Sequence, residues 1–312
     1  MSVIGTGSTG VVHEFNPKEF AGKLTWLEEE TEEPLVVKRR KLVSPFDGAT
    51  SQTLGETLDY ELTLLAILRH PNIVEAVGIH LPPLGSKYGI GIVMPQANWT
   101  AYSILTAPAG SGTRRVLFEI ATGVQYIHDS GFIHRDLKPC NILMYDDSVK
   151  ICDFGTAIRV QEPLVPLIGT YPYCAPEQLT PEYGYPADMW SIGCIAYDFI
   201  CQGRRLVRGL CNHPRDDIIA AVVGCPCIPV SRDDLRCLAF SESEISRYLQ
   251  GQPPATTWTQ YFRELGFLER AMAITKSSES LEALMSGLLC VNPDQRMSAN
   301  KLRRLLWSLN HG

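Results

Sequence analysis

Near Pro95 the hydrophobic period of the chain changes, and this confines the fold to a small sheet-rich part followed by a larger helical one. Before that point Ser2–Gly5, Gly10–Glu14, Leu35–Arg39 and Tyr88–Met94 are short β-branched or apolar runs bounded by glycine, proline or acidic residues, the pattern of strands. One helix is expected among them, over about 55–69. Beyond it, Arg114–Ser130 repeats apolar residues at Val116, Leu117, Ile120, Ala121, Val124 and Ile127, a helical spacing, and Met189–Cys201 is apolar nearly all round, as a buried central helix must be. The stretch 88–113 carries no charge and holds Pro95, Asn98 and Pro108, so it reads as the connector, with 95–98 as its hinge. One domain over 1–312 is expected, with lobes at 1–94 and 99–312 and a cleft of the kind where ligands bind.

Composition narrows the function classes. With 45% hydrophobic and 20% charged residues the chain can build a core and is too apolar for disorder. A net charge of −6 argues against nucleic acid or an anionic membrane as partner. The longest strongly apolar window, Ile218–Val230, holds two prolines and is too short to span a bilayer, and no secretory pattern opens the chain. Its ten cysteines are scattered, and Cys225-Pro-Cys227 lacks a second pair, which suits a reducing compartment, cytoplasmic or nuclear. The acidic run Glu28, Glu29, Glu30, Glu32 and Glu33, with Arg39, Arg40 and Lys41 after it, reads as a solvated loop flanking a strand. His80, His128, His213 and His311 show no metal spacing and read as surface or core residues.

Gly5, Thr6, Gly7, Ser8, Thr9 and Gly10 place three glycines at the GxGxxG spacing, which lets backbone N–H groups approach an anion. A dinucleotide turn shares that spacing but must open a helix, whereas Val11-Val12 continue as strand. Lys38 follows the buried-type strand Leu35-Val36-Val37. On the 55–69 helix, Glu61 shares a face with Leu58, Leu64, Leu65 and Leu68, and a carboxylate on an apolar face requires a cation. Lys38 is the candidate partner.

His134-Arg135-Asp136-Leu137-Lys138-Pro139-Cys140-Asn141, then Asp153-Phe154-Gly155, then Ala175-Pro176-Glu177 complete the constellation. From the glycine loop to Arg296 the chain resembles the eukaryotic protein kinases of serine/threonine type, and is most similar to the branch of the cyclin-dependent and mitogen-activated kinases. The resemblance implies a two-lobed α+β fold, with a small antiparallel-sheet lobe bearing one helix and a larger, mainly helical lobe that carries an insert at about 231–280. It implies ATP and Mg²⁺ as cofactors, with Asn141 and Asp153 as metal ligands. Lys38, paired with Glu61, would hold the α- and β-phosphates. Asp136 would receive or orient the attacking hydroxyl, Lys138 would neutralise the transferring group, and Thr170 would contact Asp136. Ile4, the glycine loop from Gly5 to Gly10, Val12, Val36, Met94, Pro95, Ala97, Leu143 and Asp153 would line the nucleotide. Asp188 would anchor the catalytic loop, and Glu177 would pair with Arg296. Partners would be proteins carrying Ser or Thr, together with a cyclin-like activator.

Some positions depart from the branch. Cys174 stands where an arginine is usual, and Gly169 alters the same pocket, which removes the expectation of proline-directed specificity. The usual activating phosphosite falls near Val165 or Pro166, neither of which carries a hydroxyl, and Tyr60 replaces a helix arginine of the phosphate clamp. Val36 is bulkier than the common alanine over adenine, and Pro95 opens the hinge with a carbonyl but no N–H. The 27 residues between Gly10 and Lys38 exceed a hairpin and read as an inserted acidic turn. The alternative is a catalytically weak, kinase-shaped scaffold. Only Val36 favours it, because Lys38, Asp136, Asn141 and Asp153 are all kept.

Overall fold

The computed structural model describes residues 3–6, 10–18, 22–26, 33–39, 60–84, 89–208, 214–238, 240–250, 252 and 254–311. The chain divides into two compact units, Met1–Trp99 with Leu143–Thr156, and Thr100–Ile142 with Ala157–Gly312.

The first unit is built on a six-stranded antiparallel sheet of β1 (Val3–Thr6), β2 (Val11–Phe15), β3 (Lys23–Trp26), β4 (Leu35–Arg39), β5 (Gly78–Leu81) and β6 (Gly91–Pro95), in the order β1-β2-β4-β6-β5-β3. The strand expected at 88–94 therefore starts at Gly91, and two strands, β3 and β5, had no sequence signature. The insertion between β2 and β4 is more than a turn: it supplies β3, which pairs with β5 at the far edge. Its acidic residues 28–32 lie outside the described residues. Strand β4 sits in the middle with all five residues buried. Alternation sends Leu35 and Val37 to one face, where they pack with Phe15, Val77, Val93 and Leu24. Val36 and Lys38 then face the other way. Register carries this outward, because Val12 lies opposite Lys38 and Met94 opposite Val36, so Val12, Val36, Lys38 and Met94 share one face.

Arg39 corrects the reading of its charge run as solvated. It is 1% exposed, and its guanidinium bonds His80 Nδ1 (2.8 Å) and donates to the Gly89 carbonyl (2.8 Å). A Cβ at Gly91, opposite Arg39 in β6, would strike Val37 and crowd the Arg39 side chain. The same unit holds helix α1, described over 60–67, and, after β7 (Trp99–Thr100) in the chain, the residues from Leu143 that lead to Asp153.

The second unit is helical. In it α2 (Ser111–Asp129) precedes β8 (Phe132–Ile133), and β11 (Ile158–Arg159) pairs back on β8; between them in the chain come β9 (Ile142–Met144) and β10 (Val149–Ile151), which from Leu143 onward belong to the first unit. Helix α3 (Pro186–Ile200) is buried along nearly its whole length, as its all-round apolar sequence requires. After α4 (Pro214–Gly224), the stretch expected as an insert folds into α5 (Arg232–Cys237), α6 (Glu242–Gln250), α7 (Trp258–Glu264) and α8 (Leu268–Thr275). Trp258 and Phe262 of α7 pack on Tyr197 of α3. Helices α9 (Ser278–Leu288) and α10 (Ala299–His311) close the unit. Arginines tie the helices together: Arg270 donates to the carbonyls of Leu105, Ala107, Phe199 and Ile200.

Candidate active site

In the first unit the buried-face argument holds. Lys38 Nζ lies 2.7 Å from both carboxylate oxygens of Glu61, and Glu61 is 2% exposed. Sequence reasoning did not foresee that the same ammonium also lies 2.7 Å from Asp153 Oδ1. Burial alone would favour losing the proton, but the two carboxylates outweigh it and hold the Lys38 pKa above the ordinary lysine value. Glu61 also accepts the N–H of Phe154 (3.2 Å), so one carboxylate fixes the lysine and the backbone after Asp153.

The segment His70–Val74 positions Asp153. Val74 donates to the Ile151 carbonyl and Ile151 to that of Asn72 (both 2.9 Å), while the Asn72 side chain donates to the Val149 carbonyl. These bonds pin β10 two residues before Asp153, whose φ of +67° is a conformation that non-glycine residues seldom adopt.

The expected nucleotide-lining residues fall as follows. Ile4 is exposed, and Gly5, Val12, Pro95, Ala97 and Leu143 are half-buried. Gly10, Val36 and Met94 are buried. Thr6 ends β1; Gly7, Ser8 and Thr9 lie outside the described residues. Gly10 approaches the Arg39 backbone so closely that a Cβ would collide with it. Packing thus explains that glycine without any ligand. The Pro95 carbonyl accepts the Tyr145 hydroxyl (3.0 Å), while Gln96 and Asn98 send their N–H groups to Pro34 and Met144.

In the second unit Asp136, 3% exposed, is held at both oxygens. Thr170 donates to Oδ1 (2.6 Å); Lys138 Nζ (2.8 Å) and Asn141 Nδ2 (3.1 Å) donate to Oδ2. Lys138 also donates to Thr170 Oγ1 (2.7 Å), closing a three-residue ring. Asn141 donates its amide to the Asp136 carbonyl as well (2.8 Å), so its side-chain oxygen is the atom left for a hard cation.

Beneath the loop Asp188, 0% exposed, accepts the N–H groups of His134 and Arg135 (both 2.9 Å). Arg135 is thereby held at φ +67°. Sequence reasoning missed His128: its Nε2 lies 2.9 Å from Asp188 Oδ2 and its ring packs at a tilt against Tyr185. Its signal was available, because His128 is four residues beyond Val124 and so lies along the apolar stripe of α2. Burial would raise the Asp188 carboxyl, but the bond from His128 and the charges and N–H groups around it hold it below the usual carboxylate range.

Glu177 and Arg296 form the expected pair, with Arg296 Nη2 2.9 Å from Glu177 Oε2. Cys174 fills the usual arginine position as a buried thiol, pushed up to about 12 chiefly by burial, so this pocket carries no cation there. Gly169, at φ +107°, passes so close to the Arg135 carbonyl that a Cβ would strike it. Gly169→Ala is expected to shift the catalytic loop and lower kcat about a hundredfold, the order of loss from misplacing a reacting group by ~1 Å. A steady-state phosphate-transfer assay with an unchanged rate would refute this.

The protein kinase domain model matches residues 1–308. The mitogen-activated protein kinase mpkC of Aspergillus niger is 31% identical over 277 residues, 87% of this chain and 63% of that protein. HOG1 of Candida albicans is 31% identical over 265 residues, 83% of this chain and 65% of that protein. For mpkC of Aspergillus fumigatus the identity is 33% over 306 residues, 96% and 72% of the two chains. The chain thus spans less than two thirds of the length of the first two. Their names support the mitogen-activated half of the expected branch and give no support to the cyclin-dependent half, nor to a cyclin as partner. The chain belongs to the protein kinase domain family, in the branch of the mitogen-activated protein kinases.

Proposed function

We propose that the chain transfers the γ-phosphate of ATP to Ser and Thr hydroxyls of protein substrates. The observation that carries this reading is the ring of Asp136, Lys138 and Thr170, in which a nearly buried carboxylate is fixed at both oxygens beside an ammonium. Phosphoryl transfer asks for positioning and charge neutralisation more than covalent work. Asp136 orients the hydroxyl and takes its proton, and Lys138 offsets charge on the transferring group. Lys38, fixed by Glu61, holds the α- and β-phosphates.

Asn141 in the second unit and Asp153 in the first each offer a hard oxygen donor of the kind Mg²⁺ takes. Among the described residues no three His, Cys, Asp or Glu side chains gather into a metal cage. Mg²⁺ would supply neutralisation of phosphate charge. The scaffold alternative finds no support, because the side chains a pseudokinase loses are present and engaged in this chain. Our placement of the protein inside the cell, cytoplasmic or nuclear, rests on the sequence argument from its cysteines. The test is a positional Ser/Thr peptide library with ATP and Mg²⁺. Transfer to Ser and Thr peptides supports the reading, and no transfer to any member overturns it.

One contact bears on activation. Arg135 Nη1 donates to the Tyr183 hydroxyl (3.3 Å), and that hydroxyl donates to the Val165 carbonyl (2.8 Å). The phenol hydroxyl thus bridges the catalytic-loop arginine to the segment near Val165, where the resemblance places the usual activating phosphosite. Phosphatase treatment is expected to leave activity unchanged, while Tyr183→Phe lowers it about tenfold, the value of one lost hydrogen bond to a charged group. Loss of activity on dephosphorylation would show that the control lies elsewhere.

A further inference from the structure

The second unit contains a cavity of about 790 Å³ whose walls include Tyr102, Tyr173, Asp198, Arg204, Arg205 and Arg208. Three guanidinium groups stand on this short loop after α3, and among the described residues none of them is ion-paired with a carboxylate. Arg204 and Arg205 instead rest over the rings of Phe267 (5.2 Å) and Tyr173 (5.9 Å). Facing them is Asp198, 1% exposed. Its Oδ2 accepts the Tyr173 hydroxyl (2.7 Å), but its Oδ1 is buried with no protein partner. An unmet acceptor in a cavity wall is costly unless whatever enters brings a donor. Burial raises this carboxyl to about 7, against the Tyr173 bond and the Arg205 charge, so the cavity stays net positive in either protonation state.

The cavity adjoins the catalytic loop. Tyr173 is three residues beyond Thr170, which bonds Asp136. The exposed thiol of Cys140 feels Lys138, Arg205 and Asp136 together, although burial is the main cause of its raised pKa. The turn Ala101–Ile104, which lends Tyr102 to the cavity wall, packs against Pro139–Asn141 of that loop. The volume suits several peptide residues rather than a single ion, and Tyr102 at 54% exposure leaves the cavity wall open to solvent.

We propose that this cavity is a substrate subsite for an anionic stretch of the protein that receives the phosphate, with Arg204, Arg205 and Arg208 pairing its acidic or phosphorylated side chains and Asp198 meeting a backbone N–H. This rests on the kinase reading above. Guanidinium groups suit carboxylate and phosphate alike because their donor fork matches both.

The experiment compares Ser peptides in which one flanking position at a time carries Asp, phosphoserine or Ala. It uses wild type and the variant R204Q/R205Q/R208Q, whose changes fall on exposed side chains. The wild type should favour Asp over Ala at one or more positions about tenfold in kcat/KM, and phosphoserine by more. In the variant that ratio should fall to near one, and the preference should weaken with added KCl. A ratio near one in wild type, or one the variant retains, overturns the proposal. Binding of a fluorescent poly-Asp peptide to Asp136→Asn and to Asp136→Asn with the three Arg→Gln changes separates the two readings. If no protein transfers phosphate yet the arginines still govern binding, the kinase reading fails and the subsite stands. If transfer is robust and binding ignores the arginines, the reverse holds.

Discussion

Asp136→Asn is expected to lower phosphate transfer about a thousandfold at saturating ATP while leaving the ATP KM within a few-fold of wild type. The amide cannot take the hydroxyl proton, and general-base assistance accounts for roughly 10²–10⁴ in rate. Its size is unchanged, but an amide keeps only one acceptor oxygen, so either the Thr170 contact or the Lys138 and Asn141 contacts lose their acceptor, which adds to the loss in rate. Lys38→Met should differ in kind. It removes the phosphate contact and leaves Glu61 and Asp153 without their shared cation, so kcat/KM for ATP falls and the fold loses about 3–5 kcal/mol. Kinetics and thermal melts of both variants distinguish the roles. Equal transfer by wild type and both variants would leave the scaffold reading as the one that stands.

Asp188→Asn should be the most destabilising conservative change in the second unit. The carboxylate is fully buried and accepts from His128, His134 and Arg135. An amide offers one acceptor oxygen and turns an N–H₂ toward the remaining donors. The expected cost is about 3–5 kcal/mol, or a Tm lower by roughly 5–15 °C. The pH dependence has a definite sign. The folded carboxyl titrates below its ordinary value, so its contribution is complete above the unfolded carboxylate pKa near ~4 and is lost as pH falls through the folded value. The gap between wild-type and variant Tm should be flat from about pH 5 to 8 and close below about pH 4. A gap that ignores acid would show that the charge does not matter.

What could be read from the sequence follows the range of each interaction. The Lys38–Glu61 pair was legible because Glu61 violates its own helix face, and a violated face names the charge it needs. The catalytic loop was legible because its residue types lie within eight positions. Asp153 as a second partner for Lys38 was not, since nothing near Asp153 signals where β10 will be pinned. Arg39 was misread because it begins a basic run, and the partners that bury it, His80 and the Gly89 carbonyl, lie some forty and fifty residues further along the chain. Strands β3 and β5 are four residues each, too short for alternation to stand out from loop. Tyr183 and the three arginines of the cavity were silent for a different reason: their partners are a distant arginine, a backbone carbonyl, ring faces and space, which leave no local pattern.

The extra strand β3 also governs how this molecule ignores its neighbours. An uncovered strand edge is a template on which another chain can add a strand. Without the insertion that template would be β5, with His80 and its partner Arg39 directly behind it. Instead the sheet ends at both sides in four-residue strands, β1 and β3, and β3 begins with the exposed Lys23. At the β3 border a short strand opened by a lysine gives a second copy little to zip onto, and dynamic light scattering at high concentration should show less association than for a chain whose insertion is cut back to a hairpin; β1 is as short but carries no charge.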